Sequence, residues 1–300
     1  MMLNNDEFES SNDAYLEEGY DAYWNGMHLG NNPYDEDTEE SRSWEDGWRA
    51  AHKRDHDASE GATVPRFSVL IPARNEENYL PGCLDSIKVA ATPFPDQVEI
   101  IVALNRCTDR TEEIALKQGA RVVREDSRNL ARIRNAAAKA ATGEIIVTID
   151  ADSRMTGNML VEIDQLLRTG KYIGGGVTIR PERWSCGILL TVLLLAVLLL
   201  WRRVSGGLFW CLRKDFETIG GFNEHLVSLE DLDFAKRLKA YGRSKGKRFT
   251  TIKKAHIITS CRKFDVFGDW YLLMNPRLVR RLLRGKTQED SNHFYYDVRR

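Results

Sequence analysis

Between Phe67 and Asp150 short apolar runs alternate with longer stretches of mixed polarity. Phe67-Ser-Val-Leu-Ile-Pro72, Val98 to Ala103, Ala120 to Arg124 and Ile145 to Ile149 are of strand length. Three of them are nearly continuous in apolar and β-branched residues, as strands buried on both faces are. The segments between them, from Asn78 through Ile87, from Asp109 to Gln118 and from Ser127 to Ala141, have helical length. Strand and helix in regular alternation predict βαβ units and a parallel sheet.

Beyond Asp150 the pattern loosens. Met159 to Leu167 reads as a helix, and Tyr172 to Arg180 as a strand weakened by Gly174, Gly175 and Gly176, which marks close approach of another backbone or a ligand. Gly206 to Leu212 reads as a strand, Lys214 to Ile219 as a helical turn and Gly220-Gly-Phe-Asn-Glu as a tight turn. A helix from Ser228 to Tyr241 carries acidic residues in its first turn, where the helix dipole favours them. Phe249 to Ile252 and Ala255 to Ser260 complete the strands, and Pro276 to Arg284 is a basic amphipathic helix. The apolar run from Gly187 to Trp201 makes about 22 Å of helix, short of the ~20 residues that span a bilayer. It suits either a helix in the membrane surface, with Trp184, Trp201, Arg202 and Arg203 at headgroup level, or a buried core helix.

Charge divides the chain. Overall it carries a formal −1, with 42% apolar and 29% charged residues, as a globular protein does. Residues 1–60 hold 17 acidic against 4 basic side chains, a net of −13, and the rest 27 against 39, a net of +12. Two modules with different partners are expected, the larger suited to phosphates or an anionic surface. Cys83, Cys107, Cys186, Cys211 and Cys261 are scattered without metal-ligand spacing, which suits reduced thiols in the cytoplasm. The polar N-terminus lacks the basic start and apolar run of a signal peptide.

The expected domains are a disordered 1–12, a helical hairpin over 13–54, a linker over 55–65, an α/β domain over 66–265 and a basic helical tail over 266–300. Trp44 and Trp48 at helical spacing lie on one face of the hairpin's second helix. Gly-Tyr-x-Ala, Gly26, Asn-Pro-Tyr and Trp44-x-x-Gly-Trp-Arg-x-Ala together resemble the ribosome modulation factor family. This copy is strongly acidic, which opposes nucleic-acid binding and implies a different role, such as docking on the basic domain.

The strand ending on Asp150-Ala-Asp152 carries the most pointed chemistry. Open α/β sheets bind ligands at the carboxyl ends of their strands, and two hard oxygen donors there suit a divalent cation that keeps waters and phosphate oxygens. Ile71-Pro-Ala-Arg-Asn-Glu-Glu, Cys107-Thr-Asp-Arg-Thr, Arg134-Asn135, Asp150-Ala-Asp152, Gly220-Gly-Phe-Asn-Glu and Glu230-Asp231-x-Asp233, in that order, resemble family 2 glycosyltransferases of the GT-A fold. Thr259-Ser-Cys-Arg262-Lys263-Phe further resembles a subgroup of small bacterial members.

That resemblance implies a Rossmann-like, mostly parallel sheet flanked by helices. It implies an inverting transfer from a nucleotide-sugar donor, UDP-linked in preference to GDP-linked, to an acceptor hydroxyl that is lipid-linked if the apolar run meets a membrane. The place of action would then be the cytoplasm or the inner face of the cytoplasmic membrane. Pro72, Ala73, Asn75, Glu77, Asn105 and Asp109 would frame the nucleoside, Arg134 the diphosphate, and Asp150 the ribose or donor sugar. Asp152, with His256 as a further ligand, would hold Mg²⁺ or Mn²⁺. Asp231 would be the general base, positioned by Glu230. Asn105 departs from the acidic residue usual in the family and leaves the base open between UDP, GDP and CDP. A non-enzymatic alternative, a GT-A-fold scaffold recruited through the hairpin, is separated from the enzyme by donor-dependent release of nucleoside diphosphate.

Overall fold

The computed structural model describes residues 5–24, 27–61, 64–202, 207–226 and 229–275, and of 5–12, 24, 54–61, 195–202 and 272 the backbone alone. The basic helix expected over 276–284 and Ser228 lie outside them. The chain forms two compact units, Met1–Thr63 and Val64–Arg300.

In the first unit α1 (Asn5–Trp24) and α2 (Glu39–Gly61) form the expected hairpin, joined through a 3-10 turn at Leu29–Asn31. The helices are longer than the sequence pattern suggested. α1 reaches back into the stretch read as disordered. α2 runs on through the expected linker, because no proline interrupts it and no glycine follows Gly47 until Gly61. Close approach explains the glycines: a Cβ at Gly19 would lie 1.9 Å from the Trp44 carbonyl oxygen, and one at Gly47 1.9 Å from that of Leu16. Trp44 is fully buried. Trp48 stacks on His52 with ring centroids 5.2 Å apart, and its indole N–H donates to the Met27 carbonyl at 2.8 Å.

The second unit begins with β1 (Phe67–Ala73), α3 (Leu80–Ala91), β2 (Val98–Leu104), α4 (Thr111–Lys117), β3 (Arg121–Arg124), α5 (Leu130–Lys139) and β4 (Ile145–Thr148). β1 lies parallel between β2 and β4, and β3 pairs in parallel with β2. Phe67, Val69 and Ile71 enter one core with Leu84 and Ile163, while Leu70 enters a second with Ile133 and Phe234. Burial on both faces accounts for the unbroken apolar run.

β5 (Ser153–Met155), α6 (Met159–Arg168), β6 (Tyr172–Pro181), α7 (Cys186–Arg202), β7 (Phe209–Leu212), α8 (Arg213–Thr218), α9 (Glu230–Ser244) and β8 (Arg248–Thr259) follow, then α10 (Arg262–Phe267) and α11 (Tyr271–Met274). The sheet order is β3-β2-β1-β4-β7-β6-β8-β5. β7 runs antiparallel to β4 and β6, β5 antiparallel to β8, and the other pairings are parallel. The glycines of β6 are where backbones crowd: a Cβ on Gly175 would come within 1.8 Å of the Thr250 carbonyl oxygen. The two strands expected near 249–260 form one, β8, with a register shift where Val177 pairs Ile252 and Thr178 pairs His256.

α7 matches neither reading of the apolar run completely. Ile188 and Thr191 are buried, but Leu189, Leu190, Leu193 and Leu194 are each about half exposed, so the described part is not a buried core helix. Among the described residues no helix is long and apolar enough to cross a membrane.

Gly47→Ala should loosen the hairpin by about 3 kcal/mol, since a methyl group pressed on a backbone oxygen cannot be relieved by a rotamer change. Amide exchange read by mass spectrometry on the full chain checks this. Protection of α1 and α2 should fall by about two orders of magnitude, and unchanged protection would show that the helices can part without cost.

Candidate functional site

The parallel strands β1, β2 and β4 end side by side, and the loops leaving them are stitched together. The Asn105 N–H donates to the Ala73 carbonyl at 2.9 Å. Asn75, in the left-handed region with φ 53°, accepts the Thr108 N–H at 2.8 Å. The Glu77 N–H donates to Asp109 Oδ2 at 3.0 Å, while Asp109 Oδ1 accepts from the Thr111 N–H and hydroxyl at 3.0 and 2.5 Å. Burial pushes the Asp109 carboxyl up, but the hydrogen bonds from Thr111 and Glu77 outweigh it and hold the group below its ordinary range. Pro72, Ala73, Asn75, Glu77, Asn105 and Asp109 are thus brought to one strand-end region. Several of their polar groups bond one another: both amide hydrogens of the buried Asn105 go to the carbonyls of Glu125 (2.6 Å) and Ser127 (2.8 Å).

A second cluster lies across β4 and α9. Arg134, on α5 and 6% exposed, donates from Nη2 to Asp150 Oδ1 and from Nη1 to Glu230 Oε1, each at 2.8 Å. Its guanidinium lies over the Phe222 ring, 5.3 Å from the centroid. This differs from an arginine held out to a diphosphate. Asp150 and Glu230 take both terminal nitrogens, because a buried cation needs paired acceptors.

Glu230 opens α9 directly after Leu229, which adopts φ 64°. The turn before it is gripped from two sides. Asn135 accepts the Phe222 N–H and donates to the Phe222 carbonyl, both at 2.9 Å, and Arg237 donates to the Ile219 and Gly221 carbonyls at 2.6 and 2.7 Å. Gly221 has φ 61°, and a Cβ there would meet Asn135 Oδ1 at 2.7 Å.

One guanidinium therefore faces Asp150 and Glu230 directly and Asp231 nearby. Burial pushes the Glu230 carboxyl up to about 7; the Arg134 cation opposes this and the Asp231 charge adds to it. Burial also raises Asp231, against the Arg134 charge and the Leu232 N–H that donates to its Oδ1 at 2.7 Å.

A third contact was not foreseen. Arg262, at the start of α10, donates to both oxygens of Glu76 at 2.6 and 2.9 Å. Its Nη2 also lies 2.9 Å from Asp152 Oδ2, and the guanidinium sits over the Tyr79 ring at 5.1 Å. Neither Glu76 nor Arg262 had been given a role, although both stand inside stretches that carry the family resemblance. Their separation along the chain hides the pairing.

His256 is not brought to Asp152. It lies opposite Thr156, whose N–H donates to its carbonyl at 3.1 Å, whereas Asp152 accepts through its own carbonyl from the Ser260 N–H at 3.0 Å. The His256-to-Ser260 segment of strand spans roughly 13 Å. Among the described residues no three His, Cys, Asp or Glu side chains converge as a metal cage. The donor set that remains, two carboxylates at a strand end, fits a hydrated hard cation held jointly with phosphate oxygens, once Arg262 yields Asp152.

Comparison with known proteins agrees with this geometry. The sequence model of glycosyl transferase family 2 matches residues 68–189, from β1 to the start of α7. A PGL/p-HBAD biosynthesis glycosyltransferase of Mycobacterium bovis is 29% identical over 188 residues, 57% of this chain and 68% of that protein. The chain spans about a quarter of the length of the first curated relatives it matches. S. aureus TarS in complex with UDP-GlcNAc is similar in fold (TM-score 0.53, 21% identity, 76% of this chain, 70% of that chain). So is a mannosyltransferase of Pyrobaculum calidifontis in complex with GDP-Man and Mn²⁺ (TM-score 0.52, 18% identity, 92% of this chain, 78% of that chain). The second unit has the GT-A fold of these neighbours.

The raised Glu230 has a consequence for stability. A carboxyl whose folded pKa lies above its unfolded value stabilises fully below the unfolded value, and that contribution is lost as pH rises through the folded one. Between pH 5 and 7.5 the wild type should lose roughly 2–3 kcal/mol that Glu230→Gln does not lose. Urea melts of both proteins across this window test it, and parallel pH profiles would assign the titration elsewhere.

Proposed function

We propose that the chain is a family 2, inverting glycosyltransferase of the hexosyl type, acting on a nucleotide-sugar donor and an acceptor hydroxyl. One observation carries this reading: Arg134 ties Asp150, at the donor-side strand end, to Glu230, at the head of the helix that bears Asp231. Asp150 and Glu230, distant in sequence, thereby meet at one guanidinium. The complexes of fold neighbours with UDP-GlcNAc and with GDP-Man and Mn²⁺ support the donor class and a divalent cation.

In this reading the loops after β1 and β2 receive the nucleoside, and Asp150 and Asp152 face the sugar diphosphate. A divalent cation held by Asp152 supplies charge neutralisation for the departing diphosphate. Asp231, half-buried at the head of α9, takes the proton of the acceptor hydroxyl. The acceptor oxygen then bonds the anomeric carbon as the bond to the diphosphate oxygen breaks, with inversion. Glu230, held by Arg134, keeps the first turn of α9 in place. Burial raises the carboxyl of Asp231 and so strengthens it as a base, at the cost of protonation at low pH.

The exposed leucines of α7 belong to the same proposal. Leu189, Leu190, Leu193 and Leu194, with Trp184, give an apolar face suited to the boundary of a lipid surface, and place a lipid-linked acceptor within the scope of the enzyme. Leu193→Ser with Leu194→Ser should lower vesicle sedimentation several-fold while the melting temperature holds. Unchanged sedimentation would remove the membrane from the proposal.

The decisive test is release of nucleoside diphosphate from UDP- and GDP-sugars with Mn²⁺, paired with thermal shifts. A ligand at about 100 times its dissociation constant stabilises the fold by roughly 2.7 kcal/mol. A metal-dependent shift should appear with one nucleotide and be lost in Asp152→Ala. Asp231→Asn should keep the shift and lower kcat by about 10²–10⁴, and as pH falls the wild-type rate should drop earlier than an ordinary aspartate would make it, because burial raises the Asp231 carboxyl. Absence of any shift from a folded sample would refute the transferase reading.

A further inference from the structure

The Glu76–Arg262–Asp152 bridge is a buried chain of alternating charge, with side chains only 4, 12 and 15% exposed. Arg262 is held unevenly. Glu76 engages it through both carboxylate oxygens, in the paired geometry that makes guanidinium–carboxylate contacts strong. Asp152 has a single contact with it, at 2.9 Å. Glu76 is in turn fixed by its own backbone, whose N–H donates to the Thr111 hydroxyl at 2.8 Å, and the Tyr79 ring supports the guanidinium from its face. The anchored end is Glu76; the releasable end is Asp152.

From this asymmetry we propose that Arg262 is a built-in competitor for Asp152, occupying in the ligand-free protein the place where a divalent cation would act. The inference rests on the transferase reading of the site. Two cations cannot share one carboxylate at contact distance without strong repulsion, so binding of a divalent cation requires Arg262 to let go of Asp152. Glu76 retains it when that happens, so release breaks one contact and leaves no buried guanidinium unpaired. The bridge thereby sets cation affinity: free Asp152 is neutralised, and a cation gains it more readily when it arrives with the phosphates of the donor, whose oxygens fill the rest of its shell.

Direct measurement of Mn²⁺ binding tests this without reference to turnover. Free Mn²⁺ would be counted by electron paramagnetic resonance in titrations of the full chain, with and without UDP. The variants are Arg262→Lys, Arg262→Gln, and Arg262→Gln combined with Glu76→Gln. The double variant guards against misfolding, because it leaves no isolated buried carboxylate at position 76. Both forms with glutamine at 262 should bind Mn²⁺ at least about tenfold more tightly than wild type, whereas Arg262→Lys, which keeps the charge, should stay near the wild-type affinity. Equal or weaker Mn²⁺ binding in the folded glutamine variants overturns the proposal. If Mn²⁺ and UDP bind wild type and variants alike, the competitor role fails and the transferase reading stands. If neither binds any form, both fail together.

Discussion

A buried guanidinium, that of Arg134, holds α5, the loop after β4 and the head of α9 in register. Taking an arginine out of water is costly unless its donors meet acceptors, and here each terminal nitrogen meets a carboxylate from a different element. α5 supplies the cation, the loop after β4 supplies Asp150 and α9 supplies Glu230. None of these can shift by an ångström without leaving a charge unpaired in a low-dielectric setting. Burial raises the carboxyls of Glu230 and Asp231, and with three carboxylates facing one cation the Arg134 charge does not cancel that rise. The same arrangement thus fixes geometry and tunes the acids it positions.

The approach to α9 shows how a chain enforces such a contact. Asn135 sits beside Arg134 in sequence and grips Phe222, the residue whose ring lies under the Arg134 guanidinium. Arg237, two turns into α9, reaches back to the carbonyls of the preceding turn and is itself held by Asp233 at 2.6 Å. The Gly220-Gly221 pair permits the left-handed backbone that this turn requires. Helix, turn and cation are therefore one cooperative unit, and the polar residues of the Glu-Asp-x-Asp segment have divided tasks. Glu230 pairs, Asp233 braces and Asp231 is left partly open to the cleft.

Much of this was legible in the sequence because it is local or periodic. The three nearly continuous apolar runs between Phe67 and Ile149 gave β1, β2 and β4, as burial on both faces leaves no polar alternation, and β3, half-exposed at the sheet edge, followed from the alternation with helices. The glycines of β6 pointed to backbone crowding, and Trp210 and Thr250 are the crowding partners. What stayed hidden depends on contacts between distant positions or on unpatterned segments. β5 is three residues long and has no periodicity to read. Arg262 meets Glu76 across nearly the whole domain, and no spacing rule reports that. The resemblance places Asn105 beside the nucleoside, and what the sequence does not show is that its amide hydrogens hold the chain at Glu125 and Ser127. The resemblance offers His256 as a further metal ligand, but a strand advances about 3.3 Å per residue, and His256 stands opposite Thr156, four residues along the chain from the Ser260 that meets Asp152.

The Asp152 end of the site connects physically to the apolar face of α7. Arg262 opens α10, and Asp265 on α10 accepts from Arg183 at 2.5 Å, two residues before Ser185, whose carbonyl accepts the Leu189 N–H at the start of α7. Arg183 also bonds Asp269, whose backbone lies so near Gly187 that a Cβ there would stand 2.6 Å from its carbonyl oxygen. A helix apolar on all sides is ordinarily covered on all sides, and among the described residues of α7 Gly187, Ile188 and Thr191 are covered while Leu189, Leu190, Leu193 and Leu194 stand exposed. Its leucine face and Asp152 therefore stand at opposite ends of one short chain of ion pairs and hydrogen bonds. On the function proposed above, a lipid-linked acceptor would approach along the first of these and meet the donor held beside the second.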